Sequence, residues 1–153
     1  MDSLQIDGYK LESLMPVILE SLQAGRSVIL PPRGTSMLPL IRQGVDSVRL
    51  SPVSGKLKKY DIPFYQRDNG QYVLHRIVGV SDTYTCIGDN QFVLENDVRQ
   101  DQVIAVVTAV YRGSRMISID NIGYKLYCRI WHNCRDVRRV YLACKRKLRG
   151  LIK

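Results

Sequence analysis

The chain has 153 residues, 45% apolar and 24% charged, which suits one globular domain and excludes collagen, low-complexity and wholly disordered classes. It carries 23 Lys and Arg against 14 Asp and Glu, a net charge of +9. The whole excess sits in residues 121–153, where ten basic side chains accompany Asp136, so residues 1–120 are neutral.

Leu11, Leu14, Met15, Ile18, Leu19 and Leu22 recur at helical spacing and predict an amphipathic helix over 9–24, with Gly25 as its stop. Ser27–Leu30 reads as a short strand ending at Pro31-Pro32. Asp46–Leu50 alternates polar and apolar residues as a half-buried strand does. Further strands are expected at Ile62–Gln66, Tyr72–Val80, Tyr84–Ile87, Val103–Tyr111 and Met116–Ile119. Asp68-Asn69-Gly70 between the first two of these is a hairpin turn signal. Strands at this spacing, joined by turns, predict a mainly β fold, a compact coiled antiparallel sheet or barrel. The expected organisation is an N-terminal helical segment over 1–26, a β domain over 27–120 and a basic helix over 121–153.

From about Gly123 the period changes. Tyr127, Ile130, Cys134, Val137, Tyr141, Cys144, Leu148 and Leu151 step alternately by three and four, which predicts one apolar stripe along roughly seven helical turns. Two readings of this helix stay open. The stripe packs on the β domain or on a second copy, or the helix lies over residues 124–153 on an anionic membrane surface. Cys134 and Cys144 fall on the stripe and are expected to be buried. No run of eighteen apolar residues exists, and Asp2, Asp7 and Glu12 do not suit a secretory signal. With Cys86, Cys128, Cys134 and Cys144 not spaced as a disulfide scaffold, a reducing cytoplasmic compartment is expected, with peripheral placement on the inner membrane face if the helix binds lipid.

Three segments carry candidate chemistry. Arg33-Gly34-Thr35-Ser36-Met37-Leu38-Pro39 holds a serine in a turn, which by itself is ordinary. Tyr72-Val73-Leu74-His75-Arg76-Ile77 places His75 on the same strand face as Val73 and Ile77, with Arg76 opposite. Burial of that kind keeps an imidazole neutral, as a general base must be, although a packed core histidine looks the same. Gly88-Asp89-Asn90, followed by Glu95, is by default a turn, but it also offers carboxylates able to orient a histidine. A serine hydroxyl needs an adjacent base before it attacks, and N–H groups of the Gly34-Thr35 turn are candidate oxyanion donors.

Taken together, Gly34-Thr35-Ser36-Met37-Leu38-Pro39, His75-Arg76-Ile77-Val78-Gly79 and Gly88-Asp89-Asn90, followed by the β segment ending in Val103–Val107, resemble the signal peptidase I superfamily, which includes the self-cleaving SOS repressors. The resemblance covers about residues 27–110. His75 stands where bacterial signal peptidases carry lysine, as in the endoplasmic reticulum and archaeal-type enzymes. The resemblance implies the signal peptidase β fold and a serine endopeptidase with Ser36 as nucleophile and His75 as base. It implies an acid in or after the Gly-Asp-Asn box, so Asp89 or Glu95. Three positions depart from the pattern: Glu95 replaces an aspartate, Val45 is inserted between Gly44 and Asp46, and Gly34 stands where many signal peptidases have serine. The expected substrate is a leader, a pro-segment or a membrane-proximal peptide.

Cys128, His132 and Cys134 lack the tight Cys pairs of structural zinc sites, so neither metal nor cofactor is expected. Two other functions compete with the peptidase. One is a catalytically silent binding domain. The other is nucleic-acid binding through the basic tail, disfavoured because one N-terminal helix is too little for a helix-turn-helix.

Overall fold

The structure, a computed structural model, describes residues 4–5, 11–137, 139, 140 and 144. Helix α1 (Leu11–Gln23) buries Met15, Ile18 and Leu22 on one stripe and keeps Pro16 and Val17 exposed. Gly25 ends it in the left-handed conformation (φ +75°), where the N–H of Arg26 reaches Ser21 O and that of Gly25 reaches Leu22 O.

The chain is mainly β. The larger sheet runs β1 (Leu4–Gln5), β2 (Val28–Leu30), β3 (Asp46–Ser51), β9 (Val103–Arg112), β4 (Pro63–Gln66) and β5 (Tyr72–Leu74). Strand β10 (Arg115–Ser118) also pairs with β9. Pairing is antiparallel except between β1 and β2. The ten-residue β9 is the spine, with β3 along one side and β4 then β10 along the other. A second sheet joins β6 (Arg76–Val80), β7 (Tyr84–Ile87) and β8 (Glu95–Val98). No closed barrel forms among the described residues: the larger sheet ends at β1 and β5, the smaller at β6 and β8.

Side-chain alternation on β4 and β5 divides the core in two. Phe64, with Tyr72 and Leu74 packed nearby, joins α1 and the large sheet in one cluster. Tyr65 and Val73 face the other way and meet Ile77, Tyr84, Cys86 and Val98 between the sheets. Full burial of a side chain such as Ile18 contributes about 1.5–3 kcal/mol.

The strand expected over Tyr72–Val80 breaks at His75, so β5 and β6 belong to different sheets. Strand β8 covers Glu95-Asn96-Asp97, a polar run for which the sequence predicts no strand; its backbone pairs with β7, Cys86 opposite Glu95.

Helix α2 (Ile122–Asn133) is capped by Asn121, whose side chain accepts from the N–H groups of Gly123 (2.8 Å) and Tyr124 (3.4 Å). The face it buries is not the expected stripe. Tyr124 and Cys128 are buried, and Tyr127, Trp131 and His132 are half-buried, whereas Ile130, Cys134, Val137 and Cys144 are exposed. The inward face is selected by polar partners inside the β body, described below. The stripe's remaining members, Tyr141, Leu148 and Leu151, lie outside the described residues. All four cysteines are free thiols, and no described helix is long and apolar enough to cross a membrane.

Candidate active site

Ser36 sits on a loop between β2 and β3 that is anchored from below. Met37, Leu40 and Ile41 are buried in the main core while Ser36 itself is half-exposed. The loop's far end is pinned by Asp46, a buried carboxylate that accepts from Arg42 N (2.9 Å), Nε (3.0 Å) and Nη2 (2.8 Å). Gly34 turns at φ +91° and donates its N–H to Gln43 Oε1 at 2.8 Å, so this N–H is already occupied. The N–H of Ser36 has no protein acceptor among the described residues.

The Gly88-Asp89-Asn90 turn grips this loop from the other side. Asn90 N donates to Ser36 O at 2.7 Å, and Asn90 Nδ2 donates to Thr35 O at 3.2 Å. Only glycine fits at position 88, because a Cβ there would stand 2.7 Å from Ser36 O and 2.8 Å from Gln91 Oε1.

His75 occupies the break between β5 and β6 and is buried. Its Nδ1 lies 3.3 Å from Glu95 Oε2 and 3.4 Å from the Tyr65 hydroxyl oxygen. Glu95 is itself held fast. Tyr65 OH donates to Oε2 at 2.7 Å, while Arg67 Nε and Nη2 donate to Oε1 and Oε2, both at 2.7 Å. Burial holds the His75 imidazole below its ordinary value, outweighing the pull of the Glu95 carboxylate. For Glu95 burial pushes upward, yet the hydrogen bonds from Arg67 and Tyr65 prevail and hold it below the usual carboxylate range.

Arg76, the next residue, turns the other way and is fully buried with Asp89. Nε and Nη2 donate to the two carboxylate oxygens at 2.8 and 2.7 Å. Burial alone would raise the Asp89 carboxyl, but Arg76 and His132 lower it to about 2. Arg76 Nη1 donates to Tyr60 O at 3.1 Å, and the other partners of this pair come from α2. Arg76 Nη1 donates to Tyr124 OH (2.6 Å) and Cys128 Sγ (3.0 Å). Tyr127 OH donates to Asp89 Oδ2 at 3.2 Å, Trp131 Nε1 donates to Asp89 O at 2.8 Å, and His132 Nε2 lies 3.1 Å from Oδ1.

Of the four sequence candidates, Ser36 and His75 line one cleft, Glu95 stands behind His75, and Asp89 is committed to Arg76 and α2. No hydrogen bond joins Ser36 to His75 in this structure. The cleft has a volume of about 790 Å³, with Leu11 and Leu14 of α1, Phe64 and Tyr72 of the large sheet, and Arg67 and Gln91 also in its wall. Tyr65 and Arg67 escaped the sequence reading. The signal was the Asp68-Asn69-Gly70 turn: it pairs Tyr65 with Val73, so Tyr65 is the diagonal neighbour of His75. No family model, no curated protein and no solved structure matches the chain.

Proposed function

We propose that this chain is a serine endopeptidase in which Ser36 is the nucleophile, His75 the general base and Glu95 the group that orients the base. The observation that carries this reading is the placement of His75, with Nδ1 3.3 Å from Glu95 in the wall of the cleft that Ser36 lines. A neutral imidazole whose Nδ1–H donates to a carboxylate keeps its lone pair on Nε2. Nε2 then takes the proton of Ser36 Oγ as that oxygen attacks a peptide carbonyl, and returns it to the leaving amine. The imidazolium formed between these steps is stabilised by Glu95, which Arg67 and Tyr65 keep ionised and in place. The N–H of Ser36, for which the described residues supply no acceptor, is the donor we assign to the developing oxyanion.

Strand β5 is the edge of the large sheet and runs directly into His75, so an extended peptide can pair with it as an added strand. The substrate class that suits this is a leader, pro-segment or membrane-proximal peptide in extended form. The resemblance to the signal peptidase I superfamily supports the same roles for Ser36 and His75. A fluorophosphonate probe tests the reading. Covalent attachment at Ser36, lost in Ser36→Ala and strongly slowed in His75→Ala, is expected. A folded protein that takes no label would instead be a peptide-binding domain.

A further inference from the structure

The outward face of α2 is apolar in the middle and basic along one flank. Ile122, Leu126 and Ile130 follow at steps of four and are 84%, 55% and 55% exposed. At about 100° per residue they span an arc of about 80°, and Lys125 and Arg129 lie within about 60° of its Ile122 edge. The opposite side of the helix, with Tyr124 and Cys128, is the one packed on the body. Val137 and Val140 continue the exposed apolar residues (72% and 65%), with Arg139 exposed beside them. Large aliphatic side chains left in water at this density mark a contact surface rather than scattered exposure.

We infer that this face of α2 docks the protein on an anionic lipid bilayer. Charge selects the occupant. Residues 121–153 carry ten basic side chains against one acidic, so a second copy of the same helix would bring like charges together. Nucleic acid fits less well, because base stacking needs aromatic side chains, and Tyr124, Tyr127 and Trp131 of this helix all turn inward onto Arg76 and Asp89. Aliphatic residues flanked by Lys and Arg match the acyl boundary and headgroups of an acidic interface. The rotation that the inward polar contacts impose on α2 is therefore what leaves Ile122, Leu126 and Ile130 free for lipid.

Flotation of the full chain tests this, using vesicles of phosphatidylcholine alone and of phosphatidylcholine with roughly one third phosphatidylglycerol. Binding to the anionic vesicles is expected to exceed that to neutral ones by about tenfold or more. The double variant Leu126→Glu, Ile130→Glu should lose about as much, since a carboxylate cannot enter the acyl boundary. Both positions are exposed, so its fold is checked by circular dichroism against the parent. Equal binding to both vesicle types, no binding, or an unaffected double variant overturns the inference. So does a solution dimer of the parent that the double variant dissociates. Ser36→Ala should float like the parent, which keeps this test separate from that of the catalytic reading.

Discussion

Asn90 donates its backbone N–H to the carbonyl oxygen of Ser36 at 2.7 Å. One residue earlier, Asp89 is locked by Arg76 and by three side chains of α2. The position of Ser36, the proposed nucleophile, is thereby tied to a helix that is remote in sequence. Rigid support of this kind matters because a reacting group displaced by about 1 Å can cost about a hundredfold in rate.

Gly88→Ala probes that support directly. The new Cβ would meet Ser36 O at 2.7 Å, and a backbone atom cannot swing aside as a side chain can. The loop must shift, so labelling of Ser36 should slow by about tenfold to a hundredfold with the fold retained. Gly79→Ala is the control. Its nearest neighbour is Thr85 Cβ at 3.2 Å, neither residue lines the cleft, and labelling should stay near the parental rate. Equal slowing in both variants would disprove the Gly88 contact as a positioning device.

The two carboxylates should separate cleanly when each is changed to its amide. Asp89→Asn leaves the fully buried Arg76 without its counter-charge, and about 3–5 kcal/mol of stability should be lost in urea unfolding. Glu95→Gln leaves a partly exposed site, so its stability cost should stay near 1 kcal/mol. Its effect on rate should be large, about a hundredfold or more, because His75 loses the group that holds its tautomer. A Glu95→Gln protein as reactive as the parent would mean that Ser36 and His75 act as a dyad.

Trp131→Phe isolates the contribution of α2. Phenylalanine can keep the stack on Tyr127, whose ring centre lies 5.7 Å away, but loses the hydrogen bond to Asp89 O. A loss of about 1 kcal/mol is expected from that bond alone. Labelling of Ser36 should slow as well, since the turn that holds its carbonyl loosens. Unchanged labelling would confine Trp131 to stability.

Much of this arrangement was readable from residue types over short stretches. Strands β2, β3, β4, β7 and β9 follow from alternating or apolar runs, and the β4–β5 hairpin from Asp68-Asn69-Gly70. What escaped depends on contacts between distant segments. The break at His75 has no local signal, because Tyr72–Val80 is uniformly strand-forming; it arises where the chain leaves one sheet for the other. Strand β8 is invisible in Glu95-Asn96-Asp97 because only its pairing with β7 makes it a strand. The periodicity predicts one stripe through Tyr127, Ile130, Cys134 and Val137, but α2 buries Tyr124 and Cys128 instead. Arg76 and Asp89 decided it, since a buried ion pair needs its remaining hydrogen bonds met and, beside the Tyr60 carbonyl, the Tyr124, Tyr127, Cys128, Trp131 and His132 face supplies them.

Stability and reactivity should both fall with pH, in two separate windows. The folded His75 binds its proton less readily than the unfolded residue, whose ordinary value is 6.5. Between the two values the unfolded chain holds more protons, so stability is full above about pH 6.5 and declines as pH drops through that window. The same protonation removes the base, so the rate of Ser36 labelling should fall with an apparent pKa below 6.5. The carboxylates that folding holds ionised, Glu95, Asp46 and Asp89, act lower down. The value of Asp89 drops from 3.8 to about 2 on folding, so its contribution persists until the pH falls below about 4 and is lost toward 2. Urea unfolding of the parent and of His75→Gln across this range separates the two. The variant should lose the upper window and keep the lower one. An upper window of equal depth in both proteins would show that His75 is not the group titrating there.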